Sequence, residues 1–200
     1  MSPRRVDKTA RRQQILDAAV RVFARRGFAA SRIEDVAAEA GIAKGSVYMY
    51  FGSREEILRA AFEALASAMD RLLEGALSGT GPALARLDAL IRDVLASIAA
   101  APDLARVLLD LWGSGRDGDG LPLDMAETYG RYRAAVAALL AQAAAEGEAR
   151  PGVGEAEATV IVGAIEGCVL QWLIDPRVPI GELAEPLAAV CLHGVRGRDA

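Results

Sequence analysis

The segment Arg11–Leu58, RRQQILDAAVRVFARRGFAASRIEDVAAEAGIAKGSVYMYFGSREEIL, constrains this chain more than any other. From about Thr9 to Arg26, Ile15, Ala18, Ala19, Val22 and Phe23 recur with the 3-4 rhythm of an amphipathic helix. Gly27 is placed to end that helix in a left-handed cap. Ser31, with Glu34 three residues on, fits a capping box for a helix from residue 32 or 33, its inner face Ile33, Val36, Ala37 and Ala40. Gly41 supplies a turn. A short helix follows from about Lys44 to Tyr50, with Val47 and Phe51 directed inward. Ser53 and Glu56 form a second capping box, opening a long helix to about Leu77. Two short helices across a tight turn, behind a basic helix, are the pattern of a helix-turn-helix, whose second short helix enters the DNA major groove.

Beyond residue 62 the chain is a series of alanine-rich amphipathic patterns. Breaks at Ser78–Pro82, Ala101–Pro102, Gly113–Pro122, Gly147–Gly154 and Asp175–Gly181 leave helices over roughly 83–100, 103–112, 123–146, 155–174 and 182–195. Pro186 suits the first turn of the last one. With 52% hydrophobic residues, few aromatics and scarce β-branched runs, the chain is expected to be all-α, with about nine helices. The expected division is a DNA-binding head over 1–53 with a basic arm, and a larger helical body over 54–200.

Charge supports that division. Residues 1–59 hold 12 Lys/Arg against 7 Asp/Glu, a net +5; the remainder holds 11 against 20, a net -9. A basic head on an acidic body points the head alone at a polyanion. The opening MSPRRVDKTARR has no apolar core and does not resemble a signal peptide. The stretch Thr159–Ile174, broken by Glu166 and Gln171, is too short and interrupted for a membrane span. Cys168 and Cys191 lack metal or redox spacing and suit buried thiols, with a disulfide left open. A cytoplasmic protein without a membrane is expected.

Reading DNA needs a helix exposed on one face and anchored on the other. With Val47 and Phe51 inside, Lys44, Gly45, Ser46, Tyr48, Met49 and Tyr50 are left near the groove or its rims. Gly45 permits close approach to the backbone, Ser46 and the tyrosine hydroxyls can bond phosphate or base edges, and Lys44 and Arg54 bring charge. Helix N-termini add free N–H groups for phosphates. Core packing of either tyrosine is the alternative.

Other motifs fail on inspection. GIAKGS at 41–46 has its lysine before the glycine and no strand ahead of it, unlike a phosphate loop. Asp117 and Asp119 with Gly120 begin like a calcium loop, but Leu121 and Thr128 fill ligand positions. His193 has no motif partner, and neither GxSxG nor HExxH occurs. No catalytic residue, metal site or cofactor is expected, and the chain is not read as an enzyme.

The run AxxxFxxxGF from Ala19, S-x-I-E-D-V-A from Ser31, A-G-I-A-K-G-S-V-Y-M-Y-F from Ala40 and S-R-E-E-I-L from Ser53 resembles the amino-terminal domain of the TetR/AcrR family of bacterial transcriptional regulators. The resemblance implies a homodimeric, ligand-responsive regulator, usually a repressor, that binds a palindromic operator and is released by a small molecule in the carboxy-terminal domain. It implies a reading helix of Lys44, Gly45, Ser46, Tyr48, Met49 and Tyr50, with phosphate contacts at Arg32 and Arg54. Tyr50 stands where many members carry histidine, and Arg54 where lysine is usual. It further implies a four-helix dimer seam from the last two long helices, for which Ile161, Gly163, Ile165, Gly167 and Val169 are candidates. The effector, expected to be hydrophobic or mixed, has Trp112, Met125, Tyr129, Tyr132 and Trp172 as candidate lining. Acidic partners for a cationic ligand would be Asp110, Glu127 and Glu166. A helical ligand-binding or interaction protein without operator binding is the other reading.

Overall fold

The apolar spacing and capping signals resolve into helices throughout the computed structural model, which describes residues 7–113 and 124–197. Nine α-helices lie among them: α1 Lys8–Arg26, α2 Ile33–Glu39, α3 Lys44–Tyr48, α4 Arg54–Ser78, α5 Ala83–Ala100, α6 Pro102–Gly113, α7 Met125–Ala145, α8 Glu155–Ile174 and α9 Ala184–His193. A single 3-10 turn, Ile180–Glu182, precedes α9. No strand occurs among the described residues, whose β pairing is one isolated bridge, Ala149 with Arg196. Asp117, Asp119 and the rest of the 114–123 segment lie outside the described residues.

Packing divides the chain into two units. The first comprises residues 1–65 and 103–123, the second 66–102 and 124–200. The expected division at 53/54 is thus drawn differently by contacts: α4 is shared along its length, and α6 belongs with the head.

The first unit has a core of Ile15, Leu16, Ala19, Val22 and Phe23 from α1, Ile33, Val36 and Ala37 from α2, Val47, Phe51, and Ile57 and Phe62 from α4. Leu104, Val107 and Leu111 of α6 belong to the same cluster. Local chemistry sets the helix ends. Asp7 caps α1, its carboxylate accepting the Thr9 amide at 2.9 Å. Gly27 ends α1 with φ 74° and ψ 148°, a positive-φ conformation open to glycine but outside the left-handed helical cap. Ser31 does not cap α2. It is buried, and its hydroxyl donates to the Gly27 carbonyl at 2.7 Å. The cap is one residue later, where the Asp35 carboxylate accepts the Arg32 amide at 3.0 Å. At α4, Ser53 Oγ accepts the Glu56 amide as expected, while the Glu56 carboxylate reaches back to Gly52.

In the second unit, α5, α7, α8 and α9 share a core of Leu87, Ile91, Leu95, Leu139, Leu140, Ile161 and Ala188. The N-terminus of α5 is capped from a distance, by Glu146 at Ala83 and Glu148 at Leu84. Buried Arg86 serves the opposite end of the turn, donating to the carbonyls of Ala76, Leu77 and Gly81. Pro186 sits in the first turn of α9, where its missing N–H is harmless.

The expectation for Thr159–Ile174 needs correcting. Starting at Glu155, α8 has 20 residues and is long and apolar enough to cross a membrane. Its apolar surface is only partly used inside its own unit: Val160 and Ile174 are each 70% exposed.

Candidate nucleic-acid interface

A five-residue helix has no independent stability and must be held by its surroundings. Val47, fully buried, and Phe51 anchor α3 from within. The preceding turn is fastened by the Ile42 amide to the Ala37 carbonyl at 3.0 Å, and by Gln14 of α1 to the Ala40 carbonyl at 2.8 Å. Gly41, at φ 65°, makes the left-handed step between α2 and α3.

Against that anchored face, the opposite face is open. Tyr48 is 49% exposed and Met49 80%, so two adjacent large side chains stand open to solvent. Lys44 and Gly45 are exposed, and nothing lies within 4 Å of the place a Cβ on Gly45 would occupy. Ser46 is half-buried. Tyr50 is half-buried and packs against the core, so it stands at the rim, unlike Tyr48.

An open groove of about 530 Å³ lies beside α3. It is lined by residues 29–34, Tyr48 and residues 52–54, which brings Arg32, Tyr48 and Arg54 together with the starts of α2 and α4. Two helix N-termini and two arginines suit a phosphate. Arg54 has a further duty that the sequence pattern did not disclose. Its Nη1 donates to the carbonyls of Phe28, at 2.9 Å, and of Ser31. Its guanidinium also lies 4.8 Å from the Phe28 ring centroid. It therefore fixes the loop forming one wall of the groove. Arg32, at the N-cap of α2, is exposed.

Several ion pairs brace this unit. Arg21 and Arg25 of α1 both hold Glu39 of α2, at 2.8 and 2.6 Å. The two arginine hydrogen bonds hold the Glu39 carboxyl down to about 2. Arg26 pairs with Asp35 at 2.5 Å. Lys44 pairs with Glu34 at 2.5 Å, and its Nζ lies 5.8 Å from the Tyr48 ring centroid. That hydrogen bond lowers the Glu34 carboxyl and raises the Lys44 ammonium from their ordinary values. From α6, Asp110 accepts the Phe28 amide at 3.3 Å. None of these partners is four residues away on one helix, so periodicity carried no sign of them.

The candidate effector residues belong to the second unit, except Trp112, whose side chain lies outside the described residues. Tyr129 and Tyr132 of α7 meet edge to face, with ring centroids 6.1 Å apart. With half-buried Trp172 they pack against the core. Met125, which begins α7, is also half-buried. Burial first, then a hydrogen bond to Glu166, pushes the Tyr129 phenol well above its usual range. Of the candidate seam residues, Ile161 is buried in the core of its own unit. Ile165, Gly167 and Val169 are half-buried, and Gly163 is exposed. Cys168 and Cys191 are free thiols, both half-buried. No cluster of metal-ligating side chains occurs among the described residues.

A short helix anchored from within and open outside, next to a cationic groove and carried on an all-helical chain, defines a helix-turn-helix transcriptional regulator. Residues 15–61 match the model of bacterial regulatory proteins of the tetR family, and residues 83–196 match the carboxy-terminal domain of BetI-type transcriptional repressors. The chain belongs to the tetR family of bacterial regulatory proteins. It is 26% identical over 194 residues to the fatty acid metabolism regulator protein of Bacillus subtilis, covering 96% of this chain and 98% of that one. It is also 26% identical over 179 residues to the nicotine-responsive transcriptional repressor of Paenarthrobacter nicotinovorans, covering 88% and 90%. The solved structure of the B. subtilis fatty acid regulator in complex with stearoyl-CoA superposes with a TM-score of 0.74 at 25% identity, over 92% of this chain and 99% of that one.

Proposed function

We propose that this protein is a homodimeric, ligand-responsive repressor that binds a palindromic operator through α3 and leaves it when a small molecule occupies the second unit. The observation that carries this reading is the one-sided anchoring of α3, with Val47 and Phe51 buried while Tyr48 and Met49 are open to solvent. Lys44, Gly45, Ser46, Tyr48 and Met49 enter the major groove, and Tyr50 meets its rim. Arg32, the N-termini of α2 and α4, and the edge of the Arg54 guanidinium not turned to the loop carbonyls, whose Nη2 also meets Glu55 at 3.3 Å, meet phosphates.

Two heads must span half-sites about 34 Å apart, which one chain cannot do. The unused apolar face of α8 supplies the seam. Val160, Gly163, Gly167, Leu170 and Ile174 recur at three- and four-residue steps, and Val190 of α9 is 74% exposed. A Cβ on Gly163 or Gly167 would meet nothing within 4 Å, leaving room for a partner helix. Ile161 is left out of this seam because its own core occupies it; Ile165 and Val169 lie at its edge. Pairing this face with a second copy accounts for its exposure without a membrane, in a cytoplasmic protein.

The effector is hydrophobic or mixed and meets Met125, Tyr129, Tyr132 and Trp172. Stearoyl-CoA in one relative and nicotine responsiveness in another both fall in that range. The test is selection of bound sequences from random duplex DNA, with gel-filtration mass on the same sample. Enrichment of a short palindrome by a dimer is expected. A monomer, or no enrichment at any salt concentration, overturns the reading.

A further inference from the structure

The groove beside α3 is lined by one carboxylate, Glu34, among residues otherwise suited to a polyanion. Elsewhere in this unit Glu39 and Asp35 pair with arginines of α1, Asp103 pairs with Arg106 within α6, and Glu55 meets Arg54 at 3.3 Å. Glu34 instead takes the lysine at the start of α3, and Arg32 adds a second, coulombic neighbour. Both cations are the ones assigned to DNA. Lys44 Nζ is thus drawn toward α2, between the Glu34 carboxylate at 2.5 Å and the face of Tyr48. Both side chains are at least half exposed, so the pair is one that water and salt weaken and that a well-placed phosphate or base edge can displace.

We propose that Glu34 is a positioning residue that sets DNA specificity by withholding Lys44 from phosphates on non-operator duplex; this rests on the DNA-binding reading above. Non-specific affinity is electrostatic and grows with each phosphate neutralised, whereas specific affinity adds base contacts. An internal carboxylate that competes for one lysine penalises the first kind of complex more than the second. It is a repulsive element built against the wrong partner. Holding Lys44 over Tyr48 also keeps it beside the exposed side chains of the reading helix rather than free to follow the backbone.

The test measures salt dependence on a 30-base-pair duplex of random sequence, and on the tightest duplex selected by the wild type. Proteins compared are the wild type, Glu34→Gln, Lys44→Gln, the double variant and Asp17→Asn. Asp17 is exposed on α1, where its carboxylate accepts from Gln13, and its loss changes net charge equally. Glu34→Gln is expected to tighten random-duplex binding about 3- to 10-fold at low salt and to steepen the log–log salt slope by about 0.9, one phosphate contact. Between 50 and 200 mM salt, that slope change means an additional ~3.5-fold loss of affinity. The ratio of selected to random affinity should fall. On the Lys44→Gln background, Glu34→Gln should do no more than Asp17→Asn does. A Glu34→Gln variant that matches Asp17→Asn, or whose steeper slope survives without Lys44, overturns the inference alone. A wild type with no salt-dependent affinity for any duplex overturns the DNA-binding reading with it.

Discussion

Replacing Arg54 separates two roles that the sequence pattern had merged. As a phosphate contact alone, its loss would flatten the salt slope by about 0.9 and leave the fold untouched. The structure assigns it more: hydrogen bonds to the Phe28 and Ser31 carbonyls and a place over the Phe28 ring. The third carbonyl, Ala29 at 3.5 Å, is too distant to count for much. A net hydrogen bond from a charged donor contributes about 1.5–3 kcal/mol, and a partly desolvated cation–π contact about 0.5–1. The Arg54 side chain is 25% exposed, so water recovers part of this, and the lower ends apply. Arg54→Ala should then destabilise the 28–34 loop and the starts of α2 and α4 by about 2–4 kcal/mol. Hydrogen exchange of peptides covering 28–40 and 50–60 reads this as protection lost by about 30-fold or more. DNA affinity should fall on every sequence, since the groove wall moves. Arg54→Lys keeps a positive charge but not the planar fork that spans the carbonyls and stacks on Phe28, so it should lose protection while keeping most of the salt slope. Unchanged exchange in Arg54→Ala, with a slope flattened by about one phosphate, would refute the loop-fixing role.

Three further outcomes are expected. Tyr48→Ala and Lys44→Ala should each weaken operator binding by about 1–3 kcal/mol, with an unchanged dimer mass by gel filtration. A charge at the proposed seam, Val160→Glu or Ile174→Glu, would bury an unpaired carboxylate and should weaken dimerisation by about 3 kcal/mol, over 100-fold, as read by light scattering at graded concentrations. Glu39, held down to about 2 by Arg25 and Arg21, lies below the ordinary carboxylate value near 4.3 of the unfolded chain. Its contribution is therefore present above about pH 4.3 and lost as pH falls through about 2; an acid titration of the Glu39→Gln variant should lack that part of the wild-type decline.

The sequence was most legible where information is local. The Ser53 cap, the Gly41 turn, the inward Val47 and Phe51, and Pro186 in a first turn all follow from neighbours within a few residues. The Ser31–Glu34 pattern misled because Ser31 is buried by tertiary packing and its hydroxyl turns to Gly27, leaving Asp35 to cap α2. Lys44 was legible as an exposed candidate but its partner was not, since Glu34 is on another helix at no periodic distance. Apolar periodicity alone also could not divide α8 between core and exposed face. Nearly every turn of that helix is apolar or small, so only packing distinguishes buried Ile161 from exposed Val160.

That helix-by-helix limit explains why the head is not the segment its motif covers. The motif ends near Leu58, yet the core holding α3 includes Leu104, Val107 and Leu111 of α6, and Asp110 of the same helix accepts the Phe28 amide. Five residues of helix cannot hold themselves, and a core of about sixty residues is marginal when cut from its neighbours. A boundary at 53 or 54 therefore divides a single hydrophobic cluster. The residues proposed to read DNA are anchored in a core that includes side chains some sixty positions away. Any change that shifts α6 acts on the wall of the groove through Asp110, Phe28 and Arg54, without touching a residue of α3.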